Sequence, residues 1–212
     1  MSGAVRHVAH QLRQPLSTIE AIAYYLSITL PPTEVRALEQ VEKLQRLVQE
    51  ASNIVSDAVQ FFQTSPVRPL RVQLNEFLTD VVADMLPAEM SRLSVMPGPD
   101  DLPVRLDLGQ AAHMLRSLTN YFRQISPDEA PIRVRTSAAC GEAVLAIGVE
   151  SACCTASEVL ALLDVHSIHL GSGSGLAMAS VRRIIDVHDG RVEVRGKPPA
   201  ELLLTVFFPL AS

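Results

Sequence analysis

The stretch Val8-Ala9-His10-Gln11-Leu12-Arg13-Gln14-Pro15-Leu16 predicts how the N-terminal part of the chain folds. Apolar residues within it and on both sides recur at alternating spacings of three and four, the pattern of the buried seam of a bundled helix. The seam consists of Val5, Val8, Leu12, Pro15, Ile19, Ile22 and Leu26. His10 lies off this seam, at a heptad position that faces solvent. We therefore predict one long helix over residues 4–30 that carries His10 on an exposed face.

A second helix with the same periodicity follows Pro31-Pro32. Its apolar residues keep the three-and-four spacing from Leu38 to about Gln63, and charged side chains occupy the other faces. Two helices alone leave one side of each apolar stripe in water, so we predict a hairpin that dimerises into a four-helix bundle. The alternative is that the hairpin packs onto the rest of its own chain.

The chain changes character at Ser65-Pro66-Val67-Arg68-Pro69, because prolines this close together cannot continue a helix. We predict a boundary there between a helical domain, residues 1–65, and a second domain, residues 66–212. Short strands and amphipathic helices interleave in the second domain, and hairpin-like strand pairs close the chain. This order predicts a two-layer α/β sandwich after the helical hairpin.

The composition excludes several classes of protein. With 48% hydrophobic and 19% charged residues, a chain of 212 residues is expected to have a packed core. A net charge of −5 without a basic run argues against nucleic acid as a partner. We predict no membrane span, because no apolar stretch reaches about 20 residues, and no signal peptide. The three cysteines, Cys140, Cys153 and Cys154, have neither disulfide nor zinc-ligand spacing, which favours the cytoplasm and predicts no metal site.

His10 and its neighbours resemble the H-box of two-component sensor histidine kinases. That motif has the order His, acid, Leu, Arg, small or polar residue, Pro, Leu. His10, Leu12, Arg13, Pro15 and Leu16 match it. The order of elements after the hairpin resembles the ATP-binding domain of the same family, so the resemblance covers nearly the whole chain. It implies that His10 accepts a phosphoryl group, whereas an incidental surface histidine is the alternative interpretation.

The run Gly171-Ser172-Gly173-Ser174-Gly175 is the second motif. Glycines at alternate positions before a helix allow the backbone to approach a phosphate group closely. Together with the residues that follow, the run resembles the family's G2 box. Gly171, Gly173 and Gly175 are therefore candidate cofactor-binding residues, as a weak remnant of an ATP loop, and a flexible turn is the alternative.

Two other nucleotide-binding boxes depart from the family's pattern. Tyr121 occupies the position of the Asn that holds magnesium, and Asn120 is one residue away, about 100° around the helix. The segment from Glu150 to Thr155 has Glu150 or Ser151 at the position of the Asp that reads adenine, and it contains neither of the two glycines that form a tight loop after that Asp. The resemblance therefore implies a degenerate ATPase domain that binds no metal.

The H-box departs from the family at Gln11, which replaces the acid that acts as a base in members that phosphorylate themselves. An amide cannot accept that proton. Gln14, one turn beyond His10, has the position associated with orienting water, and the Arg13 guanidinium is suited to phosphoryl oxygens. The candidate catalytic residues are therefore His10, Gln14 and Arg13.

With these departures, the resemblance implies a cytoplasmic homodimer that transfers phosphoryl groups between His10 and the aspartate of a response-regulator receiver domain. Such a histidine phosphotransferase requires no cofactor of its own, and an upstream histidine kinase is a further expected partner. One alternative is an active sensor kinase core that binds ATP with magnesium and phosphorylates His10. The other is a pseudokinase adaptor that binds partners without chemistry.

Overall fold

The structure is a computed structural model that describes residues 2–62, 66–85, 90, 92–99, 101–127, 130–164, 173–196 and 200–211. The chain divides into two compact units, Met1–Thr64 and Ser65–Ser212. The division lies at the start of the proline-containing segment that follows the helical region.

The first unit is a hairpin of two helices, α1 (Ser2–Thr29) and α2 (Val35–Phe62). Ala9 and Ala23 are buried on α1, and Val41 and Val48 are buried on α2. Ala9 and Ala23 are about four turns apart and Val41 and Val48 about two turns apart, so each pair lies on one face of its helix. On α1, the buried contact with α2 is therefore formed by alanines that lie beside the predicted seam. Four seam residues, by contrast, are 38–53% exposed; they are Val8, Leu12, Ile19 and Ile22.

The second unit begins with β1 (Leu70–Gln73) and alternates strands with helices. The other elements are α3 (Leu74–Ala83), β2 (Leu93–Met96), β3 (Pro103–Leu106), α4 (Leu108–Ile125), β4 (Ile132–Ala139), β5 (Glu142–Val149), α5 (Ala156–Leu163), α6 (Gly173–Val187), β6 (Arg191–Arg195) and β7 (Leu202–Pro209). Strands β1 and β3 form an antiparallel pair, and the larger sheet has the order β2-β4-β5-β7-β6. In that sheet the β2 and β4 pair is parallel, and the β4–β5, β5–β7 and β7–β6 pairs are antiparallel. The predicted fold class, a helical hairpin followed by an α/β sandwich, is confirmed.

The core of the sandwich lies between the helices and one face of the larger sheet. Strand β7 alternates buried and half-buried residues, as expected when only one face of a strand is covered. Phe208 of β7 and Phe122 of α4 are among the largest side chains that are fully buried. This packing fixes α4, the helix that carries Tyr121.

Asp107 connects three parts of this unit at the start of α4. Its carboxylate caps the helix by accepting a hydrogen bond from the Gln110 N–H, and it also accepts one from the Arg68 N–H. Its own N–H donates to Nε2 of the buried His188, at 2.8 Å. The start of α4 is thereby joined to the end of α6 and to the segment before β1.

Among the described residues, no helix combines the length and the apolar character that crossing a bilayer requires.

Candidate functional site

His10 has an exposed side chain on α1. The preceding residue, Ala9, is 4% exposed in the contact with α2. One residue is about 100° of helix rotation, so His10 lies on a flank of α1 beside that contact. The imidazole is therefore accessible and is attached to a regular helix, which a partner could approach without any rearrangement of the backbone.

Gln14 and Arg13 are neighbours of His10 on the helix surface. Residues three and four positions apart on a helix have Cβ atoms about 5–6 Å from each other. Gln14 is exposed, and its backbone carbonyl oxygen accepts a hydrogen bond from the Thr18 hydroxyl at 3.1 Å. The side-chain amide is thus free to face solvent beside the imidazole.

Arg13 reaches across to the second helix. One guanidinium N–H donates to Ser56 Oγ at 3.3 Å, and the Ser56 hydroxyl donates to the Ser52 carbonyl oxygen at 2.9 Å. This contact restrains Arg13 while it uses only one of the five N–H groups of a guanidinium. Sequence reasoning missed Ser56, and the small polar residues of α2 near it were the only signal.

Helix α1 carries no acidic residue close to His10. Pro15 lacks an N–H, so the Gln11 carbonyl oxygen has no intrahelical donor from that residue. No Asp or Glu precedes Glu20 in the sequence. Helix α1 therefore offers a nucleophile, amide groups and a cation near His10, but no carboxylate of its own that could serve as a base.

An apolar patch continues the His10 face toward the hairpin turn. Ser17 and Tyr24 follow His10 at intervals of seven residues, and Ile28 lies one turn beyond Tyr24. Tyr24 and Ile28 are 62% and 63% exposed. The patch begins about 21 Å along the helix axis from His10. Sequence reasoning missed it, although the seven-residue interval was visible.

In the second unit, Tyr121 is built into the core. It is 5% exposed, its ring packs edge to face on Phe122 at 6.0 Å, and its hydroxyl lies 3.8 Å from Cys154 Sγ. Burial, followed by the proximity of Cys154, raises the pKa of Tyr121 above its ordinary value. The phenol therefore remains neutral, and its ring packs in the core of the second unit.

The segment after β5 is held closely against the end of α4. The Cys153 N–H donates to the Ile125 carbonyl oxygen at 2.8 Å, and Ala152 is 2% exposed. Ser151 has a φ of 56°, a left-handed conformation that side chains other than glycine rarely adopt. Glu150 forms an ion pair with Arg133 at 2.7 Å. Glu150, one of the two residues considered for the adenine-binding position, therefore has a partner on β4.

The predicted glycine run lies partly outside the described residues, which do not include Gly171. Gly173 is the first residue of α6, and Gly175 is buried within its first turn. The helix thus begins earlier than the glycine pattern predicts.

The ATP and magnesium that the resemblance implies would need a polar ligand at position 121 and a glycine-containing loop after β5. Position 121 supplies a buried phenol instead of an amide oxygen, and Ala152, Cys153 and Cys154 add side chains where the family has glycines. Among the described residues, no group of three or more His, Cys, Asp or Glu side chains could hold a metal ion. The part of the site that is described does not provide the expected ligands.

The chain is similar in sequence to sensor histidine kinases. It is 23% identical over 208 residues to the sensor histidine kinase ZraS of Klebsiella oxytoca and 24% identical over 215 residues to that of Salmonella typhimurium. These alignments cover 96% and 97% of this chain, which spans 45% of the length of each relative. No protein-family model matches the chain.

Solved structures of histidine kinases share the fold. Full-length ShkA in complex with AMPPNP matches all of this chain and 46% of its own, with 18% identity and a TM-score of 0.66. The histidine kinase AdeS of Acinetobacter baumannii matches 96% of this chain and 98% of its own, with 18% identity and a TM-score of 0.55. The catalytic domain of ThkA matches 68% of this chain and 96% of its own, with 14% identity and a TM-score of 0.56. The chain therefore has the fold of a histidine kinase dimerisation and ATPase core.

Proposed function

We propose, from this relationship to sensor histidine kinases, that the chain acts in two-component signal transduction as a histidine phosphotransferase. It would transfer phosphoryl groups between His10 and the aspartate of a response-regulator receiver domain. The observation that carries the proposal is the exposed His10 on α1, with Gln14 and Arg13 beside it. The buried Tyr121 at the magnesium-binding position favours a receiver over ATP as the phosphoryl donor.

The proposed reaction needs little from this chain besides the imidazole. A ring nitrogen of His10 attacks the phosphorus of the receiver's aspartyl phosphate, the N–P bond forms as the P–O bond breaks, and the carboxylate leaves. The proton on the attacking imidazole is released to solvent, so no base is required on α1. Amide and guanidinium N–H groups of Gln14 and Arg13 donate to the phosphoryl oxygens. The receiver would supply its own magnesium and acidic pocket.

The exposed patch of Tyr24 and Ile28 is proposed as part of the docking surface for the receiver. It lies on the His10 face, and exposed aromatic side chains are enriched in protein interfaces. Its distance from His10, about 21 Å, is within the width of a small domain. A receiver centred on this face would contact both the patch and the imidazole.

We further propose that the hairpin forms a homodimer through the exposed seam. Val8, Leu12, Ile19 and Ile22 form an apolar stripe on α1, and Leu44, Leu47 and Ile54 are exposed on α2. A second copy would bury these stripes in a four-helix bundle. Ile19→Glu, which places a charge in the stripe, is expected to convert the dimer to a monomer in sedimentation velocity, whereas Glu20→Gln is expected to leave it dimeric. A dimer that survives Ile19→Glu would contradict this interface.

An active kinase core is the second candidate, because the relatives carry the name sensor histidine kinase and the ShkA structure contains AMPPNP. Calorimetric titration with ATP and magnesium separates the two candidates. Binding tighter than about 1 mM, roughly −4 kcal/mol, would favour the kinase.

The test of the phosphotransferase mixes the protein with a radiolabelled, phosphorylated receiver domain. We expect acid-labile label to appear on His10, and His10→Ala to abolish this transfer while it preserves the dimer. His7→Ala is the matched control and is expected to transfer normally, since His7 is exposed on α1 but lies outside the motif. A pure adaptor would leave the label on the receiver, and transfer by His10→Ala would contradict the proposal.

A further inference from the structure

A groove lies in the second unit between α3 and the start of α4, apart from the residues assigned to phosphoryl transfer. Phe77 and Val81 from α3, with Leu108 and Ala112 from α4, form its apolar floor. The groove encloses about 370 Å³, and Leu108 is 42% exposed at its edge. Solvent therefore reaches an apolar surface here.

One wall of the groove is acidic. Glu76, Asp80 and Asp84 line it and recur every four residues, so they share one face along about 12 Å of the α3 axis. All three are exposed. None of the described residues that line the groove is a Lys, Arg or His. The ion pairs found in the described part of the chain involve other carboxylates.

This arrangement is unfavourable for the isolated chain. Like charges four residues apart on a helix repel each other. Asp84 is the C-cap of α3, where the negative end of the helix dipole disfavours a carboxylate. A bound cationic group would relieve both interactions, so the wall is electrostatically complementary to a basic partner.

We propose that this groove binds a basic amphipathic helix of a partner protein. Its apolar residues would cover the accessible side chains of Val72, Leu108 and Ala112, and a Lys or Arg on each turn would face the carboxylates of α3. The rise of one helical turn, about 5.4 Å, matches the repeat of the acidic side chains. Nucleic acids and anionic membranes carry phosphates, which the acidic wall repels. A groove a little over two turns long fits a small, transient interface.

The test titrates the ¹⁵N-labelled full chain with an amphipathic Leu/Lys peptide of about 14 residues, long enough to form a helix. We expect amide shift changes confined to the groove, within residues 72–84 and 108–112. Glu76→Gln/Asp80→Asn/Asp84→Asn is expected to weaken binding about tenfold, because it removes three charge contacts. Raising the salt concentration should weaken binding of the unmodified chain.

Two control variants distinguish binding of the peptide in the groove from nonspecific electrostatic attraction to the chain. Glu39→Gln/Glu42→Gln/Glu50→Gln changes the net charge equally on α2 and is expected to alter affinity by less than about twofold. Leu108→Ala, at a partly exposed position, is expected to weaken binding about threefold through lost apolar contact. Equal losses in the two triple variants, shift changes outside the groove, or equal binding of a peptide with Ser in place of Leu would each overturn the proposal. The titration contains no receiver and does not depend on His10.

Discussion

The His10 face of α1 and the Tyr121 region of α4 differ in what they present to solvent. His10 and Gln14 are exposed beside each other, and Arg13 is restrained by Ser56 on the neighbouring helix. Tyr121 is 5% exposed and is covered by Phe122 and by Cys154. One region offers polar groups to a visiting molecule, whereas the protein's own side chains fill the other.

Under the proposed function, this difference means that packing alone can separate phosphoryl transfer from nucleotide binding. Phosphoryl transfer from a receiver needs only an accessible imidazole and a surface on which the receiver can dock. Binding ATP with magnesium needs an open cavity and a polar ligand at position 121. Under this proposal, an aromatic residue that packs into the core at position 121 removes a ligand for magnesium and leaves the residues of the hairpin unchanged.

The largest effect is expected from Tyr121→Asn, which restores the residue type that the histidine kinase resemblance implies. Replacing a buried aromatic ring by a smaller polar side chain leaves a cavity and an unpaired amide, at a cost of about 3 kcal/mol in the free energy of unfolding. Urea unfolding followed by circular dichroism measures this loss. Tyr24→Asn is the control, because Tyr24 is exposed and its replacement should change stability by less than about 0.5 kcal/mol.

Titration of the same Tyr121→Asn variant with ATP and magnesium sharpens the comparison. We expect no gain in affinity, since Ala152, Cys153 and Cys154 are unchanged. A variant that is as stable as the original chain and binds ATP would show that the side chain at position 121 is accessible to a ligand. That result would contradict the difference drawn between the His10 face and the Tyr121 region.

A smaller effect is expected from Gln14→Ala on the exposed face. Loss of one amide that donates to a phosphoryl oxygen should slow transfer from a labelled receiver about tenfold, with the fold unchanged. Rapid quenching of the transfer reaction measures the rate. Gln11→Ala is the matched control and is expected to change the rate less than about twofold. Equal rates for the Gln14 variant and the original chain would exclude Gln14 from the reaction.

The smallest effect concerns the pH dependence of stability. Burial raises the pKa of Tyr121, so above its ordinary value the unfolded chain releases this proton more readily than the folded chain. The stabilisation from the neutral phenol is therefore complete below about pH 10 and is lost as the pH rises further. Tyr121→Phe should remove this part of the alkaline decline in urea unfolding. An identical alkaline decline in both proteins would place Tyr121 in contact with water.

The alternation of strands and amphipathic helices predicted the sandwich, because a half-covered sheet and its helices each impose a regular apolar period. Contacts between distant residues carried no such local signal. The hydrogen bond from Arg13 to Ser56 joins residues 43 positions apart, and that from Asp107 to His188 joins residues 81 apart.

The hairpin contact was also hidden in the sequence. Ala9 and Ala23 add little to an apolar period, although small side chains allow two helices to approach closely. The stronger periodicity belongs to Leu12 and Ile19, which one chain leaves exposed. The apolar pattern therefore predicted a helical bundle, but it did not identify the residues through which α1 and α2 of one chain contact each other.

The most direct measurement of the central claim compares two radiolabelled phosphoryl donors on the same protein. One sample receives a phosphorylated receiver domain and the other receives ATP with magnesium, and acid-labile label on His10 is measured in both. The account predicts label from the receiver alone. Label from ATP alone, which would identify an autokinase with an open nucleotide site, would contradict it.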